Sequence, residues 1–279
     1  MVVNPRFGEL VTGPGRIESV RPIDRPGLAG FFAQGGVLEP DWGDYFSGFD
    51  LTVSYLFDPD GIFQANWKRI GGRGEYLAID PTAPRVAAWK HLADPLLALG
   101  VKPGMPHLLR GEKLEPAKPP GVSGTAPRVV LHPGSGGVRK CWPLEHWLEE
   151  LRIWRQEQPM NLVWLAGEVE GDLLRRVPEE WKRDPHSVHE NRPLTEAFGL
   201  LRGADLYLGH DSGISHLAAW AGVPSGLLFG PTDPKIWAPP GSYVRCWQHR
   251  GGAWPERGEL ARWWQTELGP LLVMKTARR

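Results

Sequence analysis

The sequence predicts an α/β protein built on a parallel sheet covered on both faces, and three observations carry that prediction. From residue 125 onward, short apolar runs alternate with longer amphipathic ones, the punctuation of repeated βα units. Two glycine-containing segments, His132-Pro-Gly-Ser-Gly-Gly-Val-Arg-Lys-Cys-Trp-Pro143 and Asp211-Ser-Gly-Ile-Ser-His216, fall where an apolar run gives way to a helical one. With 41% hydrophobic side chains over 279 residues, the chain can bury one large core or two modest ones.

In the first part the grammar is weak. Strands are expected over 16–23, 50–56 and 76–79, and helical runs over 28–33, 62–69 and 86–99. A stretch dense in Pro, Gly and Lys, including Pro116-Ala-Lys-Pro-Pro-Gly121, neither alternates nor carries a helical stripe. It reads as a linker over 103–127, dividing a domain at 1–102 from one at 128–279. The second domain is clearer. Arg128-Val-Val-Leu-His132 reads as a buried strand, 144–158 as a helix, and Asn161-Leu-Val-Trp-Leu-Ala166 as the next strand, broken by Gly167. A helix over 194–202, a strand over 205–209, a helix over 213–221 and a strand over 225–229 follow. The run 258–274 is helix-like and rich in Leu and Trp, suited to packing back across the domains.

Composition narrows the function classes. Basic and acidic residues balance at 32 each, so nothing global points to nucleic acid, and any anion site must be a local cluster. Two cysteines, Cys141 and Cys246, lack metal-ligand spacing and are too few for a disulfide framework, which fits a reducing cytoplasm. No metal or cofactor is implied. Residues 1–10 contain no leader-like apolar core, and no run approaches the roughly 20 apolar residues of a membrane span. The 28 prolines fit stiffened loops; the 14 tryptophans have no explanation at this level.

The two glycine-containing segments carry the candidate chemistry. Gly134, Gly136 and Gly137 let a backbone approach a pyrophosphate, Ser135 adds a hydroxyl donor, and Lys140 adds a mobile positive charge. A plain glycine-rich turn with a solvated lysine explains the same residues equally well. In the second segment, Asp211 and Ser212 stand at an expected N-cap, Gly213 removes a side chain at the positive end of the helix, and His216 lies on its first turn. Together they suit a sugar-phosphate; singly, Asp211 would merely cap and His216 would pack. Glu168, just past a strand end, is placed to accept from ribose hydroxyls, or is an ordinary surface acid. His210 reads as structural, Cys141 as a spectator, and Phe229-Gly-Pro-Thr-Asp-Pro234 as either a tight turn or part of the site.

In order and spacing, four motifs resemble the ADP-heptose:lipopolysaccharide heptosyltransferases, glycosyltransferase family 9. They are His132-Pro-Gly-Ser-Gly-Gly with Lys140 and Trp142-Pro143; Ala166-Gly167-Glu168; Gly209-His-Asp-Ser-Gly-Ile-Ser-His-Leu-Ala218 with Gly222-Val-Pro224; and Phe229-Gly-Pro-Thr-Asp-Pro234. The resemblance is strong over 128–239 and loose before it. It implies a GT-B fold, two Rossmann-like domains facing across a cleft, with the nucleotide-sugar held by the C-terminal one. It also implies an inverting, metal-independent transfer of heptose from ADP-heptose to a growing lipopolysaccharide core, in the cytoplasm at the inner membrane face, where peripheral association would fit. By that analogy Ser135, Gly136, Gly137 and Lys140 contact the diphosphate, with Lys140 also stabilising the leaving ADP. Glu168 contacts the ribose, and Asp211, Ser212, Gly213 and His216 the sugar and phosphates.

One departure is expected to matter. Family members open with a strand and a Gly-x-x-Gly-Asp-like loop whose Asp is the general base, and no such strand, glycine pair and aspartate is evident in the first thirty residues. Either the chain starts late or its N-terminal domain is reduced. Asp58 and Asp60 are the remaining candidate bases, although Asp-Pro-Asp-Gly is also an ordinary turn. The reading therefore carries alternatives: a nucleotide-sugar-binding pseudoenzyme without a base, or another GT-B-type enzyme such as an epimerase.

Overall fold

The computed structural model describes residues 1–13, 17–82, 85–101, 126–168, 170–182, 187–249, 251–256 and 258–271. The chain divides into two compact units: residues 1–85 with 90–101, and residues 86–89 with 102–279. The linker expected over 103–127 lies, up to residue 125, outside the described residues.

The first unit is small and aromatic. It contains β1 (Val2–Val3), α1 (Pro5–Val11), β2 (Arg21–Pro22), α2 (Pro40–Ser47), β3 (Leu51–Ser54), α3 (Ile62–Arg69), β4 (Glu75–Ala78) and α4 (Ala88–Ala98), the last reaching across the division. β1 pairs with β2 and β3 with β4, both in parallel. Two sequence expectations change here. The strand expected over 16–23 shrinks to Arg21–Pro22, and the helix over 28–33 is a single 3-10 turn, Ala29–Phe32. That turn is tight because Gly30 leaves no room: a Cβ there would lie 1.9 Å from the Val37 carbonyl oxygen. The core joins Leu28, Phe31, Trp42, Phe46, Phe63 and Trp67, with Phe31 edge-on to Trp42 at 6.3 Å between ring centroids.

The second unit is built on one sheet. In chain order it contains β5 (Arg128–Leu131), α5 (Leu144–Glu157), β6 (Asn161–Ala166), α6 (Gly171–Arg175), β7 (Val188–Glu190), α7 (Leu194–Arg202), β8 (Leu206–His210), α8 (Gly213–Trp220), β9 (Ser225–Phe229), α9 (Pro234–Trp237), β10 (Val244–Gln248) and α10 (Glu259–Trp263). Six strands pair in the order β10-β9-β8-β5-β6-β7, all parallel. Strands β5, β8 and β9 are buried along their whole length, as expected of runs without polar alternation between two helical layers. α10 passes into a π-helical turn, Trp264–Leu268, rather than running as the single long helix expected over 258–274. Its Leu260, Trp264 and Leu268 enter the same core as Trp147, Leu151 and Trp154 of α5. The tryptophans thereby find their reason: Trp142, Trp147, Trp164 and Trp264 are fully buried space-fillers between sheet and helices.

This strand order is the doubly wound one, reversing direction between β5 and β8. In such sheets the chain leaves the two middle strands toward opposite faces, and a crevice opens beyond their carboxyl ends. The two glycine-containing segments follow β5 and β8.

Candidate functional site

The first loop leaves β5 under tight control. The His132 N–H donates to the Leu208 carbonyl at 2.9 Å, extending the β5–β8 ladder one residue past the strand. Gly134 admits no side chain, since a Cβ would lie 2.1 Å from the Glu170 Cγ. The Ser135 hydroxyl donates to the Asp211 carbonyl at 2.6 Å, tying this loop to the one after β8. Gly136 and Gly137 are different. A Cβ on either would meet nothing within 4 Å, and neither has a positive φ. A 3-10 turn, Val138–Lys140, then carries Lys140 back over the second loop.

The second loop begins at Asp211, whose side chain is 10% exposed and whose Oδ2 accepts from the Lys140 ammonium at 2.8 Å. The N-cap is therefore Ser212 rather than a shared Asp211–Ser212 position. Its Oγ accepts the Ser215 N–H at 3.3 Å, while the Ser215 hydroxyl donates to the His210 carbonyl and meets the Tyr207 phenol at 3.1 Å. With the cap serving Ser215, the N–H groups of Gly213 and Ile214 have no partner inside the helix and point out of its N-terminus. A Cβ on Gly213 would also meet nothing within 4 Å. His216 donates Nε2–H to the Trp237 carbonyl at 3.1 Å, which leaves Nδ1 as an acceptor. Packing lowers its pKa from the ordinary value, opposed by the Trp237 carbonyl and the Asp211 charge, so the neutral form is favoured.

Ser135, Lys140, Asp211, Ser212, Gly213 and His216 thus fall on two adjoining loops and the first turn of α8, and direct bonds link the first three. Glu168, just past the end of β6, has an exposed side chain. The carboxylate that turns inward is Glu170, 7% exposed, with Oε2 accepting the Gly167 N–H at 2.8 Å beside Gly134. Sequence reasoning missed it because two acids follow the same strand, and only the start of α6 decides which one turns in. Cys141 keeps its proton: burial raises its pKa, and the Glu170 charge adds to that. After β9, the loop through Thr232 is held by Gln248, whose Nε2 donates to the Gly230 and Thr232 carbonyls at 3.1 and 2.8 Å. Asp233 caps α9 through the Lys235 N–H at 2.8 Å.

In the first unit, Asp58 is occupied. Its two carboxylate oxygens accept the N–H groups of Phe63 and Gln64, each at 3.1 Å, so it anchors the start of α3. Asp60 is exposed in the turn beside it. The expectation that no opening strand stands in the first thirty residues is corrected: β1 is followed after one residue by α1, capped by Asn4 through the Arg6 N–H at 3.0 Å. Within α1, Gly8 is buried against Val20 and Glu9 is exposed. The signal was a Gly-Glu pair close behind two valines, which a search for Gly-Asp passes over.

The glycosyltransferase family 9 (heptosyltransferase) model matches residues 77–262, two thirds of the chain. The chain belongs to this family. Among curated family 9 relatives, lipopolysaccharide heptosyltransferase 1 of Pseudomonas aeruginosa is 30% identical over 131 residues, 47% of this chain and 35% of that protein. Lipooligosaccharide heptosyltransferase 2 of Haemophilus influenzae is 29% identical over 120 residues, again 35% of its length. The chain thus spans about a third of the curated relatives it matches. Solved family 9 structures extend the likeness in fold. The Veillonella parvula glycosyltransferase superposes with a TM-score of 0.69 at 14% identity, covering 98% of this chain and 87% of that one. For the E. coli ADP-heptose heptosyltransferase II the TM-score is 0.66 at 16% identity, covering 99% and 89%. The family 9 fold, α/β and GT-B-like, is therefore shared.

Proposed function

We propose that this chain is a heptosyltransferase that binds ADP-heptose and transfers heptose, with inversion and without a metal, to a lipopolysaccharide-core-like acceptor at the inner face of the membrane. One observation carries the donor part. Gly136, Gly137 and Gly213 are not demanded by the folded chain, since all three face open space without a positive φ. They flank the Lys140–Asp211 pair and the outward N–H groups of α8. Glycine there makes sense when another molecule's phosphates come close to the backbone. The names of the relatives supply ADP-heptose as the donor, one solved family structure being an E. coli heptosyltransferase with ADP.

In this reading an acceptor hydroxyl attacks the anomeric carbon, the bond from that carbon to the β-phosphate oxygen breaks, and ADP leaves. Lys140 and the first turn of α8 meet the charge that builds on the departing oxygen. Asp211 holds the ammonium in place beforehand and, with the neutral His216, offers acceptors to sugar hydroxyls. Glu168 is the carboxylate for the ribose hydroxyls, and Glu170 braces the glycine-rich loop behind Gly134. For the proton of the acceptor hydroxyl we assign Glu9, in the Gly-Glu pair after the first strand, in place of the occupied Asp58.

The test is calorimetry with ADP, UDP and GDP, with and without chelator, followed by single-turnover transfer to a heptose-deficient lipopolysaccharide. ADP should bind in chelator, and Glu9→Gln should slow transfer about 10²–10⁴-fold while leaving ADP binding intact. No ADP binding would refute the donor reading. Transfer unaffected by Glu9→Gln would refute the base, and donor binding without any transfer by the unaltered chain would favour the pseudoenzyme.

A further inference from the structure

His210 lies at the end of β8, beside the site yet sealed from it, with no exposed surface. Its Nε2 accepts two N–H donors: the Trp142 backbone amide at 3.0 Å and the Trp147 indole Nε1–H at 3.2 Å. A nitrogen accepting twice carries no proton, so the neutral ring has its hydrogen on Nδ1, a buried atom with no hydrogen-bond partner, while the backbone of Gly134 lies close to the ring. Both ends of the glycine-rich loop are therefore near one imidazole: Gly134 at its entry and Trp142 at its exit, two residues beyond Lys140. Trp147 and Trp254 close the ring in edge-on contacts at 5.4 and 5.5 Å. Three further contacts reach the loops from the same stretch of chain, because Asp211 next door receives the Ser135 hydroxyl and the Lys140 ammonium, and Ser215 donates to the His210 carbonyl.

We infer that His210 is a positioning residue for nucleotide-sugar binding: as a buried acceptor it fixes the exit of the glycine-rich loop and so sets where Lys140 stands. This rests on the donor-site reading above, and it adds a requirement that no residue touching the donor reveals. The site needs an acceptor at the place of Nε2, not merely a residue of this size. An apolar ring would strand two buried donors, one of them the loop's own backbone.

His210→Gln and His210→Asn separate the acceptor from the bulk. The glutamine amide oxygen reaches the place of Nε2, whereas that of asparagine stops near the place of Nδ1. Three measurements are made on the whole chain: amide exchange by mass spectrometry, the indole N–H resonance of Trp147, and ADP binding by calorimetry. In His210→Asn, exchange over 133–142 should quicken about tenfold while β6 and β9 stay protected, the Trp147 indole signal should shift, and ADP binding should weaken about tenfold. His210→Gln should return all three toward the unaltered protein. Equal behaviour of the two variants would overturn the inference, as would faster exchange spread evenly over the sheet, the mark of a merely structural core residue. If the unaltered chain binds no ADP, the donor reading fails, and exchange with the indole signal still decides whether His210 holds the loop.

Discussion

Acid should unfold the second unit earlier than its carboxylates alone would require, because two buried histidines must stay neutral for it to fold. Burial lowers the His132 pKa to about 4 and the His210 pKa to about 3, the His132 charge adding to the second shift. Both values lie below the ordinary 6.5. The unfolded chain therefore takes up two protons that the folded chain refuses. The stability tied to these rings is fully present above pH ~6.5 and is lost as pH falls toward the folded values. At pH ~5, linkage gives a loss of about 2 kcal/mol for each ring, large beside a typical total of ~5–15 kcal/mol. The assay is urea unfolding, followed by circular dichroism, at about pH 7.5 and 5, for the unaltered chain and for His132→Gln. The variant should lose about 2 kcal/mol less between the two conditions, whatever its stability at the upper one. An identical loss in both proteins would show that His132 accepts a proton in the folded state and would refute the argument.

Three further outcomes follow from the site and the core. Gly134→Ala should push the Glu170 side chain away from the Gly167 N–H, costing about 1–3 kcal/mol in urea unfolding and weakening ADP binding; full stability would show that Glu170 swings aside freely. Ser212→Ala should lower stability by about 0.5–2 kcal/mol as the cap of α8 is lost, whereas Asp211→Asn should leave stability within about 1 kcal/mol and act on donor binding; the reverse pattern would return the cap to Asp211. Glu150 is buried, and desolvation raises its pKa despite the Gly258 N–H, so it penalises the fold above its folded pKa and not below its unfolded one. Glu150→Gln should raise the Tm at neutral pH, with the gain vanishing below about pH 4, and an unchanged Tm at neutral pH would count against it.

What the sequence made legible depended on how local the deciding forces were. Arg128-Val-Val-Leu and Ser225-Gly-Leu-Leu-Phe announced themselves because a strand buried on both faces is apolar throughout, and the loops after β5 and β8 followed from the glycines. β1 and β2 are two residues each, too short for any periodicity, so the opening of the first unit stayed hidden. Choosing the cap of α8 was not a local matter either. Aspartate and serine cap about equally well, and a lysine 71 residues away draws the Asp211 carboxylate off, leaving the turn to Ser212. That Glu170 turns inward depends on Gly134, a residue after the neighbouring strand and far from it in sequence. His210 was readable as structural but not as an acceptor for two indole-bearing residues 68 and 63 positions earlier.

The two strands that carry the loops are also neighbours in the middle of the sheet, each with a partner on both sides. Backbone so placed opens only when the whole unit opens, whereas the margins at β7 and β10 can fray on their own. A substitution that loosens either loop at its root therefore loosens the fold as well.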